Sequence, residues 1–336
     1  MIRYPDLNIH TIGVTAPSSG LEKELHDLLH QTAKRQEQRG FQLEIGETTW
    51  TQEDAKSAPA EKRAAELMDM LTNSSIDAVI PPWGGELLIE ILEHLDFSKV
   101  KPKWVLGYSD VSLLLLAITL NTGIATAHGT NLIDLRGEES DDTTARWLEV
   151  LRSKKGETVT QASSQRFQKN WDHDNPSPVI FHLTEPTEWK TVSGNEEHFS
   201  GRLLGGCIDV IRHLMGTPYG DVNKFRQTHI PEEPVVWYLE NCEMAVADLK
   251  RSLTQMKYAG WFDNCSGVLF GRSAANQATG TYTVEKMYKD FSKEIGLPVA
   301  FDIDCGHVPP QITFINGAYA EITVKDGSGE VKQEFR

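Results

Sequence analysis

Long hydrophobic segments are absent from this chain of 336 residues, and no apolar run approaches the roughly 20 residues that a membrane-spanning helix needs. The first eight residues also lack the apolar core of a secretory signal peptide. Both absences lead us to expect a cytoplasmic protein that has no membrane partner. The hydrophobic share of 39% and the charged share of 24% are typical of soluble globular proteins. The length suffices for two domains of ordinary size, each with its own core.

Positive charge and cysteine are also scarce. The 33 lysines and arginines stand against 48 aspartates and glutamates, which gives a net charge of −15 at pH 7. Because nucleic-acid backbones and anionic membranes attract clustered Lys and Arg, this balance argues against both as the main partner. The four cysteines show no C-x-x-C spacing, so we predict neither a zinc knuckle nor a disulfide framework but buried thiols in a reducing compartment.

Strand-like and helix-like segments alternate in the first half of the chain. The predicted strands are 9–15, 41–45, 76–80, 104–106 and 124–127, and the predicted helices are 21–39, 58–71, 86–95, 111–120 and 143–152. Such alternation implies right-handed crossovers and a parallel sheet. We therefore predict an α/β protein whose N-terminal domain, residues 1–152, has a flavodoxin-like or Rossmann-like parallel sheet. In such a sheet, the loops at the carboxyl ends of the strands line the ligand crevice.

The second half of the chain indicates a C-terminal α+β domain with a mixed sheet, residues 201–336. Further predicted strands are 181–183, 189–192, 199–204, 235–240, 267–270 and 298–303, and further predicted helices are 208–215, 245–258 and 284–295. The tail, 312–335, has the pattern of antiparallel strands that turn at Asn316-Gly317 and Asp326-Gly327. Residues 153–200 show no clear helical period, and we predict a linker and an active-site loop there, since long loops in compact chains are often functional.

The segment around Ser109 has the pattern of a strand, a sharp turn and a buried helix. Gly107 permits a tight bend, and the apolar run 111–120 predicts the helix. A serine at such a turn is held out of the sheet, next to the partly positive N-terminus of the helix. The pattern is similar to the nucleophile elbow of serine hydrolases, although Val111 stands at the second glycine position of G-x-S-x-G. The alternative is that Ser109 or Asp110 only caps the helix.

Two further candidates for catalysis stand at predicted strand ends. Glu240 ends one apolar strand, and His307 follows another. A serine hydroxyl needs a base to take its proton, and a histidine that does so needs an acceptor on its other ring nitrogen. Glu240 could be that acceptor, and the chain order serine, acid, histidine is that of α/β-hydrolases. A buried carboxylate needs a partner in any case, and Arg202, Arg272 or a helix N–H group would also serve.

A tetrahedral intermediate also needs hydrogen-bond donors for its oxyanion. The chain offers two backbone N–H groups, that of Asp110 directly after the serine and that of Gly85 from a neighbouring strand-end loop. The pair Gly84-Gly85 is equally compatible with an ordinary turn between a strand and a helix.

The chain also contains residues suited to two other chemistries. A cysteine nucleophile could be Cys305 or Cys207, but neither follows the strand, turn and helix pattern with a base elsewhere as well as Ser109 does. A metal site could use eligible ligands whose spacing matches no metal signature, namely His128, His307, Asp302 and Asp304.

Trp171 lies in the polar part of the predicted active-site loop. A tryptophan on the solvent side often contacts a ligand or a partner. The residue is equally compatible with an anchor that packs the loop on the protein body.

Six short motifs occur in the order seen in one family of enzymes. They are Trp83-Gly84-Gly85, Gly107-Tyr108-Ser109-Asp110, Gly201-Arg202-Leu203-Leu204-Gly205-Gly206, Gly216-Thr217-Pro218-Tyr219, Leu239-Glu240 and Gly306-His307. With them the chain, from Val14 to Gly317, resembles the serine peptidase family of murein LD-carboxypeptidases and microcin C self-immunity proteins. Each motif is weak alone, but the set is specific.

The resemblance implies a Ser-Glu-His triad on Ser109, Glu240 and His307, with oxyanion donors at Gly85 and Asp110. It implies that the nucleophile lies on the N-terminal domain and the other two residues lie on the C-terminal domain, with the site between them. It also implies a homodimer and a reaction that needs no cofactor and no metal.

Within the family, the length of the chain and its long loop resemble the microcin-immunity-like branch. Those enzymes cleave the amide between a peptidyl or aminoacyl group and a nucleotide-like moiety, and Trp171 would stack on the base. Murein LD-carboxypeptidases instead remove the terminal D-alanine from a tetrapeptide. A catalytically silent nucleotide or peptide binder is the alternative from another class.

Four residues are predicted to contact the substrate, namely Gly84, Trp171, Cys207 and Arg272. At one of them the chain departs from the family pattern, because Gly206-Cys207 stands where the family usually shows Gly-Gly-Asn. We expect the loss of that amide to remove a substrate hydrogen bond.

Overall fold

The computed structural model describes residues 1–5, 8–171 and 175–336. Within these ranges the strands are β1 (Thr11–Val14), β2 (Gln42–Ile45), β3 (Ala78–Val79), β4 (Trp104–Gly107), β5 (Thr126–His128), β6 (Thr158–Ala162), β7 (Arg166–Phe167), β8 (Glu185–Pro186), β9 (Lys190–Thr191), β10 (Glu197–Cys207), β11 (Val235–Glu240), β12 (Cys265–Gly271), β13 (Val299–Ile303), β14 (Phe314–Asn316), β15 (Tyr319–Lys325) and β16 (Ser328–Glu334). The α-helices are α1 (His26–Gln38), α2 (Ala60–Thr72), α3 (Val111–Thr122), α4 (Trp147–Leu151), α5 (Ile208–Ile211), α6 (Val222–His229), α7 (Val246–Tyr258) and α8 (Val284–Ile295). None of the helices in these ranges has the length and apolar character required to cross a bilayer.

The first sheet has six strands in the order β14-β5-β4-β3-β1-β2. The neighbours among β1 to β5 pair in parallel, which confirms the parallel N-terminal sheet expected from the alternating pattern. Helix α3 is buried at every position from Val111 to Leu120. Its side chains there are apolar apart from two small hydroxyls, so the helix can lie wholly inside the molecule.

The second sheet has eight strands in the order β6-β16-β15-β10-β11-β12-β13-β9. Its four central strands, β10 to β13, are parallel, and the strands on both sides are antiparallel. This arrangement confirms the mixed sheet predicted for the C-terminal half. Helix α3, which follows β4 of the first sheet, packs against β10 of the second sheet.

Two local predictions were wrong, and one segment has more structure than its pattern indicates. The predicted helix 86–95 is a 3₁₀ helix, Leu88–His94, because its apolar spacing suits either helix type. The predicted strand 181–183 does not form, since Phe181 is buried against Trp171 as a loop anchor. The segment 153–200 contains the short strands β6 to β9, and β6 pairs with β16 at one edge of the second sheet.

The tail connects the two sheets. Strands β15 and β16 form the predicted hairpin at Asp326-Gly327, but β14 pairs antiparallel with β5 and so belongs to the first sheet. At Gly317, whose φ of 92° suits a residue without a Cβ, the chain turns from the first sheet into the second. The alternating pattern predicts a strand and its turn, but it does not indicate which sheet the strand joins.

The side chain of Asn316 holds this junction together. Its Oδ1 accepts hydrogen bonds from the backbone N–H of Gly205 at 3.0 Å and the hydroxyl of Tyr238 at 2.9 Å, both in the second sheet. Its Nδ2 donates to Thr126 Oγ1 at 3.3 Å in the first sheet. Because Asn316 is fully buried, these bonds have no competition from water.

The change Asn316→Ala should therefore destabilise the protein. It leaves the buried N–H of Gly205 and the hydroxyl of Tyr238 without their acceptor, and each such group costs about 1–3 kcal/mol. We expect the midpoint of urea unfolding to fall by an amount that corresponds to about 2 kcal/mol or more.

Asn195→Ala is the matched control, because Asn195 is exposed in a turn where its amide makes only a 3.4 Å contact with Ser193 O. Its effect should stay within about 0.5 kcal/mol. Equal effects of the two changes would contradict the role given to Asn316.

Candidate active site

Ser109 occupies the sharp turn between β4 and α3. Its φ is 62°, in the left-handed region that residues other than glycine rarely adopt and that costs on the order of 1–3 kcal/mol. Neither side chain at the turn caps the helix, because the Asp110 carboxylate makes no capping bond and Ser109 Oγ contacts a histidine. The conformation is that of a nucleophile elbow, which holds the hydroxyl away from the sheet.

Three side chains from different strand ends form one line of hydrogen bonds. His307 Nε2 lies 3.0 Å from Ser109 Oγ, and His307 Nδ1 lies 2.9 Å from Glu240 Oε2. Ser109 follows β4 of the first sheet, Glu240 ends β11 of the second sheet, and His307 lies in the loop after β13. The site therefore lies between the two sheets.

Glycines around Glu240 create the space for its buried carboxylate. A Cβ on Gly306 would come within 2.4 Å of Glu240 Oε2, and a Cβ on Gly271 would come within 3.0 Å of Glu240 Cβ. The φ of 92° at Gly306 is a second reason for glycine there. Without these two glycines, the loop that carries His307 could not approach the acid so closely.

The charges of Glu240 and His307 stabilise each other. Burial favours the neutral form of Glu240, but the positive charge of His307 and its hydrogen bond outweigh it and hold the pKa of Glu240 below its ordinary value. Burial also lowers the pKa of His307, but the Glu240 carboxylate and the contact with the Cys242 thiol raise it well above its ordinary value. Each charge thus favours the other: the carboxylate favours the imidazolium form of His307, and the imidazolium favours the carboxylate form of Glu240.

The loop at Gly84-Gly85 lies directly against the serine. A Cβ on Gly84 would come within 2.7 Å of Ser109 Oγ and within 3.1 Å of the Asp110 backbone nitrogen. Gly85 has a φ of 143°, and a Cβ there would meet the hydroxyls of Ser18 and Ser19 at 2.4 Å. The contact requires glycine at both positions, so the pair is more than an ordinary turn.

The Asp110 side chain has a role that the sequence pattern did not indicate. Its carboxylate accepts hydrogen bonds from Ser18 Oγ at 2.5 Å and from the Leu88 backbone N–H at 2.9 Å. Burial raises its pKa to about 6 despite these bonds. Asp110 therefore ties the loops after β1 and β3 to the serine turn. The position of Ser18 after a strand of a parallel sheet was the available signal.

Tyr108 was also missed, although it stands in the Gly-Tyr-Ser-Asp motif. Its ring packs edge-on against His307 with centroids 5.1 Å apart, and the Asp134 carboxylate lies near its hydroxyl. Its backbone N–H donates to Asn131 Oδ1 at 3.2 Å. The ring supports His307 on the side of the open cleft.

A cleft of about 1230 Å³ opens beside His307. Tyr108, Trp83 and Trp171 contribute aromatic walls, and Arg136 contributes a positive charge. Trp171 is 39% exposed, and its Nε1 donates to the backbone oxygen of His307 at 3.2 Å. It also packs edge-on against Phe181. The residue is thus anchored to the body and also lines the cleft, while its contact with a ligand stays a prediction.

Two predicted substrate-binding residues lie elsewhere. Arg272 is buried, with Nη2 2.6 Å from Asp304 Oδ1, and this ion pair accounts for its charge without a substrate. Cys207 is buried behind Glu240, outside the lining of the cleft. Neither arginine weighed as a partner of Glu240 fills that role, since Arg202 pairs with Glu233 at 2.6 Å. A sequence pattern does not indicate how several buried charges sort into pairs.

The other chemistries receive no support from the placement of their residues. Burial raises the pKa of the Cys207 and Cys305 thiols well above the ordinary value, which disfavours the nucleophilic thiolate. The four-residue metal set is not assembled in the described part of the chain, because other residues occupy its carboxylates. Asp302 pairs with Lys190, and Asp304 binds Arg272, Ser164 and Trp189.

We expect His307 to titrate above its ordinary pKa of 6.5 in the intact protein, because the Glu240 carboxylate favours the imidazolium. In Glu240→Gln the favourable charge is lost while burial remains, so the pKa of His307 should fall below 6.5. Histidine ring NMR titration measures both values, with His307→Ala to assign the signal.

Glu243→Gln is the matched control, since it removes an exposed carboxylate three residues along the chain. The His307 titration should not change in that variant. A His307 pKa at or below 6.5 in the unaltered protein would contradict the assigned pairing.

Comparison with known proteins connects this geometry with one family. The chain matches the model of the LD-carboxypeptidase N-terminal domain over residues 12–129 and that of the LD-carboxypeptidase C-terminal domain over residues 200–322. The two matches together cover most of the chain, and they contain Ser109 in the first and Glu240 and His307 in the second.

Individual relatives cover the chain nearly end to end. A probable murein peptide carboxypeptidase from Bacillus subtilis is 26% identical over 330 residues, which are 96% of this chain and 91% of that protein. The microcin C7 self-immunity protein MccF from Escherichia coli is 22% identical over 312 residues, 89% of this chain and 86% of that protein. The structure of MccF in complex with glutamyl sulfamoyl guanosine has the same fold, with a TM-score of 0.83 at 20% identity over 99% of both chains. The chain belongs to the LD-carboxypeptidase family.

Proposed function

We propose that the protein is a serine amidohydrolase in which Ser109 is the nucleophile, His307 the base and Glu240 the residue that orients the base. The observation that carries the proposal is the line of two hydrogen bonds, 3.0 Å and 2.9 Å long, from Ser109 Oγ through His307 to Glu240. The strained backbone of Ser109 supports it, since strain of this kind is concentrated at functional sites.

In the proposed reaction, the neutral form of His307 takes the Ser109 proton at Nε2 as Oγ attacks the carbonyl carbon of the amide. The backbone N–H groups of Gly85 and Asp110 donate hydrogen bonds to the oxyanion. His307 then gives its proton to the leaving amine, and an acyl-enzyme remains. Water, deprotonated by the same base, releases the acyl group. Glu240 holds the reactive tautomer and stabilises the imidazolium at each stage.

For the substrate, we propose an amide between a peptidyl or aminoacyl group and a nucleotide-like moiety. The width of the cleft and the position of Trp171 beside His307 support this choice, because an exposed indole face can stack on a base. The solved complex of MccF with glutamyl sulfamoyl guanosine contains such a compound. The proposal includes a homodimer in the cytoplasm that uses no cofactor, as the family resemblance implies.

A murein tetrapeptide is the second candidate, with release of the terminal D-alanine. It is favoured by the 26% identity to the Bacillus subtilis protein named as a probable murein peptide carboxypeptidase. Hydrolysis of a murein tetrapeptide and of an aminoacyl-sulfamoyl adenylate, measured side by side, distinguishes the two candidates.

Ser109→Ala should lower the rate on the true substrate by on the order of 10⁴-fold or more, because a triad without its nucleophile loses the acyl-enzyme route. The matched control is Ser112→Ala, since Ser112 is a buried serine one turn further along α3. Its rate should stay within about threefold of the unaltered protein.

A fall of less than about tenfold in Ser109→Ala would sink the proposed mechanism. A serine-directed fluorophosphonate followed by mass spectrometry separates an enzyme from a silent binder. The enzyme carries the label on Ser109, whereas a binder retains its ligand and stays unlabelled.

Trp171→Ala should raise the KM for the nucleotide-linked substrate by about 5-fold to 100-fold, which corresponds to about 1–3 kcal/mol of stacking. Trp171→Phe separates stacking from the hydrogen bond to His307 O, since phenylalanine keeps a ring and loses the donor. The KM of Trp171→Phe should lie near that of the unaltered protein. If KM and kcat are both unchanged in Trp171→Ala, the residue is only a loop anchor.

A further inference from the structure

Three side chains of the kinds that bind metal ions, one cysteine, one glutamate and one histidine, lie close together at the ends of the strands of the second sheet. One ligand atom each from Cys207, Glu240 and His307 lie within 4.8 Å of one another. In the described ranges, this is the single such group of three or more histidine, cysteine or acidic residues. It differs from the set considered from the sequence, of which it shares only His307.

Neighbouring strands of the second sheet fix two of the ligands. Cys207 and Glu240 are the last residues of β10 and β11, and they are direct partners in the parallel register. Both are buried, so their side chains have little freedom to lose when a metal binds. His307 reaches the pair from the loop after β13.

The carboxylate of Glu240 supplies a second observation that points to a ligand. Glu240 Oε1 is buried and receives no hydrogen bond from any residue in the described ranges, while Oε2 is bound by His307. The side chain of Glu240 is 0% exposed. An unsatisfied buried oxygen of a charged group is costly, and a metal ion would satisfy it.

The donor set selects the type of metal. One sulfur, one imidazole nitrogen and one carboxylate oxygen are ligands of Zn²⁺, whereas Mg²⁺ and Ca²⁺ prefer sites made of oxygen. Bond lengths of about 2.0–2.3 Å place the ligand atoms of a tetrahedral site about 3.3–3.8 Å apart, so these atoms, now within 4.8 Å of one another, have to approach by at most about 1.5 Å.

We propose that Cys207, Glu240 and His307 form an inhibitory binding site for a thiophilic divalent cation such as Zn²⁺. On binding, the Cys207 thiol and the His307 imidazolium each release one proton to solvent, and the thiolate sulfur and the freed ring nitrogen form bonds to the metal. A metal-bound imidazole no longer accepts the Ser109 proton, and Glu240 is withdrawn from its orienting role. The inhibitory effect rests on the proposed function, but the binding site does not.

Cadmium binding tests the site without any assay of activity. Metal-free protein is titrated with CdCl₂, and the ultraviolet charge-transfer band of a cadmium thiolate is measured. The unaltered protein should show the band with one equivalent of Cd²⁺. Cys207→Ala should bind Cd²⁺ at least about tenfold more weakly. His307→Ala, which removes the more exposed of the ligands, should weaken Cd²⁺ binding by a similar factor.

Cys265→Ser is the matched control, because the Cys265 sulfur interacts with the backbone oxygen of Gly267 and lies outside the cluster. It should retain the full band. Thermal unfolding of each variant establishes that it is folded. No band in the unaltered protein, or an equal band in folded Cys207→Ala and folded His307→Ala, would overturn the site.

The rate at which a fluorophosphonate labels Ser109 tests the inhibition. Saturating ZnCl₂ should slow labelling of the unaltered protein and of Cys265→Ser by at least about tenfold, while MgCl₂ should leave it unchanged. Cys207→Ala, compared with its own metal-free rate, should lose this response. Cadmium binding without slower labelling would refute inhibition. Absence of labelling before metal is added would instead refute the proposed function, and the cadmium titration would still decide the site.

Discussion

The arrangement of the site depends on the burial of one charge, the carboxylate of Glu240 at the end of β11. An unpaired carboxylate in that position would cost several kcal/mol, so the fold must bring a partner to it. His307 is that partner at 2.9 Å, and the same contact places its other ring nitrogen 3.0 Å from Ser109. Two glycines, Gly271 and Gly306, leave the space in which this happens. The hydrogen bond from His307 that compensates the buried charge of Glu240 therefore also aligns the imidazole with Ser109.

This contact requires that the two sheets hold a definite position relative to each other. Asn316 fixes one point of the junction through hydrogen bonds to both sheets. Gly206 fixes another, because a Cβ there would come within 2.6 Å of Ser112 on α3. Close packing of α3 against β10 brings the ends of β4 and β11 together. Ser109 thus comes from one side of the interface between the sheets, and Glu240 and His307 come from the other. The contacts of Asn316 and Gly206, which fix this interface, lie outside the three candidate residues.

Local patterns predicted much of the fold and pointed to the three residues of the candidate site. Helix α8 has the predicted limits, with Thr283 as its N-cap and Gly296 in the left-handed conformation at its end. The alternation of the first half predicted the parallel sheet, and three chemically suitable side chains stood at strand ends. The placements that the patterns did not indicate are those that depend on distant residues. Strand β14 joins the first sheet, Arg272 pairs with Asp304, and Cys207 lies behind the acid instead of in the cleft.

The sequence by itself determined the secondary structure elements, the family and the residue types that stand at the carboxyl ends of the strands. These features are encoded locally, in hydrophobic periodicity, in glycine at turns and in short motifs. Only the tertiary structure decided which acid meets which base, because Ser109 and His307 are 198 positions apart and Glu240 and His307 are 67 positions apart. It also decided that Trp171 lines the cleft and that a cysteine stands behind the acid. Contacts of this kind follow from the packing of two sheets, and no local pattern records that packing.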